Sequence, residues 1–272
     1  MSGPSVHFNL PPRSLFQFPP SWVPEPLAPP FEESSLRTPF PIPASIFKAA
    51  LDPMVPATIA TVYAVTVSLV NAYNRKHGNQ PWRISKSRAF FAFVILHNVF
   101  LAVYSAVTCV AMFKALKRTI PHYSEENSLV GTVDALCKMH GPRGFGDAVT
   151  YLPPDNVWHS DNQGIRLGPD RLPDSTDVGR LWNEGLAFWG WIFYLSKFYE
   201  VLDTLIILAK GKRSSTLQTY HHAGAMLCMW AGIRFMSAPI WIFCLVNSGI
   251  HAMMVRSTFP IGFRFCKWLI VV

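Results

Sequence analysis

Charged residues are scarce in this 272-residue sequence: Asp, Glu, Lys and Arg make up 15%, against about 25% in an average soluble protein. That scarcity argues against ordinary soluble domains. Half of the residues are hydrophobic, so disorder of the whole chain is also excluded, because too much apolar surface would remain in water. The class that this composition favours is a membrane protein.

Other familiar signals are missing as well. The five Cys have neither CxxC nor metal-ligand spacing, so neither a zinc site nor a disulfide scaffold is predicted. The N-terminal stretch lacks a basic segment followed by an apolar core, so no cleavable signal peptide is expected. The first apolar span would then act as the membrane-targeting signal.

The sequence is nevertheless basic, with 24 Lys and Arg and a formal net charge of +8. These cations stand in short clusters between long uncharged stretches. That distribution is typical of a polytopic membrane protein rather than of a nucleic-acid-binding domain. No nucleic-acid partner is therefore expected.

Proline and acidic residues mark out regions of the chain. Fourteen of the 23 prolines lie within residues 1–56, which predicts a disordered or polyproline-like arm over 1–53. Residues 54–272 are predicted to form a transmembrane domain. A polar loop over 114–184 interrupts it and carries ten of the 16 acidic residues.

Five apolar runs approach or exceed the roughly 20 residues needed to cross a bilayer. They cover residues 54–74, 89–113, 185–209, 214–233 and 235–255. The predicted fold is therefore an all-α polytopic membrane protein with about five complete transmembrane helices and the start of a sixth at 268–272.

Positive charge in the short loops predicts the orientation. The loop over 75–88 has five cations and no acid, and the Lys-Gly-Lys-Arg turn over 210–213 has three. These loops are predicted to be cytosolic, with the N-terminus and the acidic loop on the other side. Lys114, Lys117 and Arg118 contradict this rule.

Ionisable residues inside apolar spans cost at least about 2.5 kcal/mol at the membrane centre, which makes them functional candidates. Lys197, Glu200 and Asp203 form one stripe at steps of three, and Lys197 can pair with Glu200. The alternative is a purely structural stripe, in which a salt bridge only holds helices together.

Histidines supply the second group of candidates. The adjacent pair His221 and His222 offers a nucleophile, a base or metal ligands. Gln218 also fits a capping box with Ser215. His97 and His251 stand alone in apolar runs, where a hydrogen-bonded structural role is the usual alternative.

The candidate side chains share one depth. At 1.5 Å per residue, His97, Asp203, His221 and His251 lie within about 8–13 Å of the cytosolic ends of their spans. Independent structural residues have no reason to share a depth. The coincidence predicts a polar cavity that opens to the cytosol.

Four motifs in this order resemble those of the ELO family of fatty acid elongases, the condensing enzymes of the endoplasmic reticulum. The resemblance covers about residues 55–254. The motifs are His97-Asn98-x-x-Leu101-x-x-x-Ser105, Lys197-x-x-Glu200-x-x-Asp203-Thr204, Gln218-x-x-His221-His222 and Asn247-Ser-x-Ile-His251-x-x-Met254.

The resemblance implies a very-long-chain 3-ketoacyl-CoA synthase of the endoplasmic reticulum membrane that condenses a fatty acyl-CoA with malonyl-CoA, with no bound cofactor or metal. His221 would accept the acyl group as an acyl-imidazole. His222 and His251 would support the acid–base steps. Lys197, Glu200 and Asp203 would orient the histidines. Substrate contacts would come from Gln218, Asn247, His97, Asn98 and Thr204, and the CoA phosphates would meet Lys210, Lys212 and Arg213.

The resemblance also implies partners: the lipid bilayer, the reductases and dehydratase of the elongation cycle, and a second copy in a homodimer. Gln218 in place of a first histidine resembles the subgroup that elongates polyunsaturated chains.

Two departures from the family keep alternatives open. The family usually has seven spans, and Val255-Arg256-Ser257 replaces its expected Tyr-containing stretch, so the sequence is interpreted as C-terminally truncated. An inactive elongase-like fragment is therefore one alternative. A di-iron desaturase would need about eight histidines in several boxes, and a transporter would need paired broken spans; neither pattern is present.

Overall fold

The computed structural model describes residues 25–124, 128–137, 150–152, 157–159 and 180–258, and it is largely α-helical, as predicted. The helices are α1 (Ala44–Ala50), α2 (Met54–Lys76), α3 (Arg88–Thr119), α4 (Ser128–Cys137), α5 (Ala187–Tyr199), α6 (Val201–Ala209), α7 (Thr216–Arg234) and α8 (Trp241–Thr258). The polar loop also contains a hairpin in which β1 (Thr150–Leu152) pairs antiparallel with β2 (Val157–His159).

Two of the described helices, α2 and α3, are long and apolar enough to cross a membrane. The runs predicted as the fourth and fifth spans form α7 and α8, which are shorter or less apolar. The count of five spans therefore stays a prediction, and the start of a sixth lies outside the described residues.

Serine residues set the N-terminal ends of two helices. The Ser87 hydroxyl accepts a hydrogen bond from the Phe90 amide at the start of α3, at 3.1 Å. The Ser215 hydroxyl does the same for the Gln218 amide at the start of α7, at 3.1 Å. Each side chain satisfies one of the amides that lack a partner in the first helical turn.

The third apolar run, predicted as a span over 185–209, forms two helices that meet at Glu200. A wide turn over Trp182–Leu186 contains Gly185 at φ 136°, a conformation that only glycine adopts readily. The chain then forms α5, and Glu200 separates α5 from α6. The polar stripe therefore spans a helix junction.

The main core surrounds α5. Its large buried side chains include Trp182, Phe188, Trp191 and Tyr194, which pack with side chains from α3, α7 and α8. Helix α3 packs against α8, while α7 packs against both α2 and α5. A smaller cluster between α2, α6 and α7 includes Tyr63, Val67, Leu208 and Met226.

The Pro-rich arm is ordered over residues 25–53, which corrects the expectation of disorder for this half of 1–53. Phe47 is fully buried and stacks on Trp191 at 5.6 Å between ring centroids. Trp189, Tyr194 and Trp230 donate hydrogen bonds to backbone carbonyls of the arm. Buried aromatic side chains and donors on α5 and α7 thus hold the arm in place, including the short helix α1 within it.

The two basic loops lie at the same end of the bundle. The Trp82 amide donates to the Ala209 carbonyl at 2.9 Å, which joins the loop after α2 to the end of α6. Asn74 is buried and bridges them further, accepting from Trp82 Nε1 and donating to the Leu208 carbonyl. At Gly211 (φ 73°) a side-chain Cβ would lie 2.4 Å from the Asn79 carbonyl oxygen, so only glycine fits there.

Candidate active site

A buried ion pair lies at the end of α5, and its lysine also bonds to α8. Lys197 Nζ lies 2.6 Å from Glu200 Oε1, as the spacing of three predicted, and it donates to Asn247 Oδ1 at 2.8 Å. The same Nζ atom also lies over the Phe193 ring, 3.9 Å from the ring centroid, in a cation–π contact. Lys197 is 1% exposed and Glu200 is 4% exposed, so both charges are compensated inside the bundle rather than by water.

A second polar contact joins α3 to α6. His97 Nε2 lies 2.8 Å from Asp203 Oδ1, and His97 Nδ1 lies 3.1 Å from the Tyr199 hydroxyl. Because an ionised carboxylate only accepts hydrogen bonds, Nε2 carries a proton in this arrangement. The Tyr199 hydroxyl can then donate to Nδ1, which fixes the orientation of the imidazole ring.

Thr204 joins α2, α6 and α7. Its hydroxyl lies 2.9 Å from the Tyr63 hydroxyl and accepts a hydrogen bond from Gln218 Nε2 at 3.4 Å. Gln218 Oε1 accepts from the Ser214 hydroxyl at 3.5 Å. The side chain of Gln218 thus contacts Thr204 and Ser214. The capping contact with Ser215 is made by the backbone N–H of Gln218.

The three box and motif histidines differ in exposure. His222 is 7% exposed and its ring lies edge-on to Tyr63, with 6.1 Å between centroids. His221 is exposed, and its ring centroid lies 5.6 Å from that of His222. His251 on α8 is half-buried. Neither His221 nor His251 makes a hydrogen bond with any other residue that the structure describes, so both imidazoles have free nitrogens.

The remaining predicted residues lie outside this hydrogen-bonded network. Lys210, Lys212 and Arg213 are exposed on the turn between α6 and α7, at the end where the two basic loops meet. Asn98 is half-buried on α3 beside His97, and no hydrogen bond joins it to the network. Within the described ranges, no group of three or more His, Cys, Asp and Glu is placed to hold a metal ion.

Two tyrosines complete the network without having been predicted from the sequence. Tyr63 contacts both Thr204 and His222, and Tyr199 contacts His97. Tyr63 stands alone in an apolar run, where a tyrosine is usual at a membrane boundary or in a core. For Tyr199, the position directly before Glu200 in the polar stripe is a signal that it lies near the site.

The hydrogen bonds define a polar network inside a helical bundle, and two helices of this bundle are long and apolar enough to cross a membrane. The family model described as ELO: GNS1/SUR4 family matches residues 49–255. Because this match covers most of the chain, the protein belongs to the ELO family. Proteins of this family are membrane proteins, in agreement with the two apolar helices α2 and α3.

Curated relatives carry elongase names. A Dictyostelium discoideum protein named as a candidate fatty acid elongase is 38% identical over 176 residues, covering 64% of this chain and 44% of that protein. Fatty acid elongase 2 of Trypanosoma brucei brucei is 32% identical over 78 residues, covering 29% of each chain. Very long chain fatty acid elongase 6 of Homo sapiens is 36% identical over 67 residues, covering 25% of each.

The matched region spans less than half the length of these relatives. No solved structure matches the chain.

Proposed function

We propose that the protein catalyses the condensing step of fatty acid elongation, in which a long-chain fatty acyl-CoA and malonyl-CoA give a 3-ketoacyl-CoA, CO2 and CoA. The observation that carries the proposal is the linkage of four separate motifs into one network. Asp203 contacts His97, Lys197 contacts Asn247, and Thr204 contacts Gln218. The helices that bear these motifs also bear the candidate reactive histidines.

The first chemical step uses His221. Its exposed imidazole has a free nitrogen that can attack the thioester carbonyl, forming a C–N bond. The C–S bond breaks and the CoA thiolate leaves, taking up the proton released by the imidazole. The product is an acyl-imidazole on the protein.

The second step forms the new carbon–carbon bond. Malonyl-CoA loses CO2, and the electron pair of the broken C–C bond becomes an enolate. The enolate carbon attacks the acyl-imidazole carbonyl and the C–N bond breaks. The departing imidazolate takes up one proton from solvent, which regenerates the imidazole and leaves the 3-ketoacyl-CoA as product. No redox partner or metal enters this balance, because every electron pair comes from a broken bond.

The surrounding residues position the histidines in this mechanism. Asp203 and Tyr199 hold His97, and Tyr63 packs against His222 next to His221. His222 and His251 support proton transfers, and the buried Lys197–Glu200 pair holds Asn247 in place on α8, four residues before His251. Packing of this kind keeps reacting groups in a productive orientation.

An apolar groove on α8 suits the acyl chain. It has a volume of about 550 Å³ and is lined by Pro239, Ile242, Phe243, Val246 and Ile250, with Asn247 as a polar residue among them. Since Asn247 bonds to Lys197, the groove borders the polar network. A fatty acyl chain would thus bury its apolar surface while its thioester lies near polar groups.

The proposal places the protein in the endoplasmic reticulum membrane with the site open to the cytosol, where CoA esters are present. Lys210, Lys212 and Arg213 would meet CoA phosphates there. The reductases and dehydratase of the elongation cycle would consume its product, and a homodimer is proposed as the assembly.

Elongation and acyl transfer can be tested separately. Microsomes that contain the protein should incorporate labelled malonyl-CoA into a product two carbons longer, and a panel of acyl-CoAs should identify the preferred chain. Purified protein given labelled acyl-CoA should carry covalent label that His221→Ala abolishes.

His77→Ala is the matched control, because His77 is an exposed histidine at the end of α2 that contacts Tyr73 and none of the network residues. It should retain full labelling. Equal labelling of His221→Ala and the intact protein would exclude His221 as the acyl carrier, and absence of elongation in all microsomes would exclude the activity.

A further inference from the structure

A polar groove lies between α2 and the start of α7 and borders the network described above at Ser214. It has a volume of about 440 Å³. Its polar lining includes Asn71, Arg75, Asn79, Arg213, Ser214 and Thr216, and none of its lining residues is acidic. The groove therefore offers positive charge and hydrogen-bonding groups without a built-in counter-ion.

The two arginines at the groove are uncompensated. Arg75 and Arg213 are exposed, and neither guanidinium makes an ion pair or hydrogen bond with another residue in the described part of the chain. Two other arginines, Arg37 and Arg118, differ in this respect, because both contact the carboxylate of Glu184. Each guanidinium at the groove thus keeps its planar set of donors for a ligand.

Two hydrogen bonds between Asn71 and Ser214 hold the two sides of the groove together. Asn71 Nδ2 donates to the Ser214 carbonyl at 3.0 Å, and the Ser214 amide donates to Asn71 Oδ1 at 3.1 Å. This pair of bonds ties α2 directly to the segment that carries Arg213. The arginine-bearing segments therefore have a fixed spacing before any ligand arrives, which lowers the entropy cost of binding.

We propose that this groove binds the phosphate group of an anionic ligand between Arg75 and Arg213. Guanidinium groups bind phosphate oxygens in a bidentate manner, and the exposed hydroxyl group of Thr216 offers a further donor. Basic pockets between helices near a membrane surface bind lipid headgroups in this way. The same chemistry would hold the phosphates of CoA, which is the soluble source of such a group.

Thr219, which also lines the groove, precedes His222 by one helical turn on the same face of α7. A bound phosphate would therefore lie close to the histidine pair without occupying it. The inference does not rest on the condensation reaction, since binding can be measured with an inactive protein.

The test uses the full chain in detergent micelles with two ligand series. The soluble series is CoA against pantetheine, which has no phosphate, and the lipid series is short-chain phosphatidic acid and phosphatidylglycerol against zwitterionic phosphatidylcholine. The double variant Arg75→Gln with Arg213→Gln should weaken binding of CoA, of the anionic lipids or of both by about tenfold or more. Lys76→Gln is the matched control, because it removes an exposed cation beside Arg75 that does not line the groove.

If the double variant loses binding only in the soluble series, the ligand is the phosphate groups of CoA. If it loses binding only of the anionic lipids, the ligand is a lipid headgroup. Loss of binding in both series would identify a general phosphate site. Each of these outcomes supports the proposal. Binding that is unchanged in the double variant would overturn it. Equal weakening by Lys76→Gln would overturn it as well, since the effect would then be general surface charge. Thermal unfolding of each variant checks that the fold is intact.

Discussion

The ammonium group of Lys197 is buried away from water, so its contribution to the stability of the fold depends on its hydrogen-bond and ion-pair partners. It bonds to Glu200 on the same helix junction and to Asn247 on α8. Replacing only Lys197 would leave a buried carboxylate without its cation. Such broken buried pairs cost about 3–5 kcal/mol, whereas replacing both partners by apolar residues costs much less.

Lys197→Met is therefore expected to lower the free energy of unfolding by about 3–5 kcal/mol, and the double variant with Glu200→Leu is expected to recover part of that loss. Unfolding of the purified protein in detergent, analysed as a double-mutant cycle, measures the coupling. Additive effects of the two substitutions would show that the pair is not coupled.

Lys48→Met is the matched control on the surface. Lys48 contacts the exposed carboxylate of Glu25 and lowers its pKa through a hydrogen bond and direct charge attraction. Since the pair is in water, its loss should change the unfolding temperature very little. A shift as large as that of Lys197→Met would mean that burial is not the cause.

The sequence could predict contacts along one helix better than contacts between helices. The spacing of three between Lys197 and Glu200 indicated their pair. The partner of Asp203 could not be derived in this way, because His97 reaches it only through the packing of α3 against α6. The depth argument placed both at one level but could not specify the contact.

At the scale of elements, the arm shows why proline content misled the prediction for residues 25–53. Proline prevents regular helix and removes amide donors, but the carbonyl groups still need partners. Trp189 supplies the donor for Leu36, Tyr194 for Ala50 and Trp230 for Leu51. These donors lie on α5 and α7, more than a hundred residues along the chain, so local composition could not reveal them.

The break in the third apolar run also has a local cause. Gly185 at φ 136° sets the start of the helical part of this run, and the junction at Glu200 divides it into α5 and α6, although apart from the polar stripe its composition is apolar. Hydrophobicity alone predicts that such a run is helical, but it does not detect a change of helical hydrogen bonding.

Tyr194→Phe is expected to loosen the arm. The substitution removes the hydroxyl that donates to the Ala50 carbonyl at 2.8 Å and leaves that acceptor without this partner. The expected cost is about 1–3 kcal/mol, with faster protease cleavage within residues 25–53. Tyr220→Phe is the control, because Tyr220 is 75% exposed. Equal cleavage rates for both variants would show that the hydroxyl does not anchor the arm.

At the scale of the whole molecule, the exposed apolar surface is concentrated on the helices that can span a bilayer. Helix α3 exposes a series of large side chains, including Phe91, Leu96, Phe100, Val103 and Phe113. An exposed apolar surface of this extent is unfavourable in water and favourable in contact with lipid chains. At 1.5 Å per residue, the 32 residues of α3 extend about 48 Å, more than the roughly 30 Å of hydrocarbon.

The length and apolar composition of α3 predict that its two ends lie on opposite sides of the membrane. The loop before α3 bonds to the end of α6, so the basic segments 75–88 and 210–213 share one side. Positive charge in both predicts that this side is cytosolic. Lys114, Lys117 and Arg118 at the other end of α3 remain exceptions to this rule.

Glycosylation tags can test this arrangement in intact microsomes. A tag inserted within residues 138–149 should be modified, because that segment follows the end of α3 predicted to face the lumen. A tag inserted at 78–80 should remain unmodified. The reverse pattern would keep α3 as a span and invert the predicted orientation. Two modified tags, or two unmodified tags in a competent assay, would contradict a membrane crossing by α3, because its ends would then share one side.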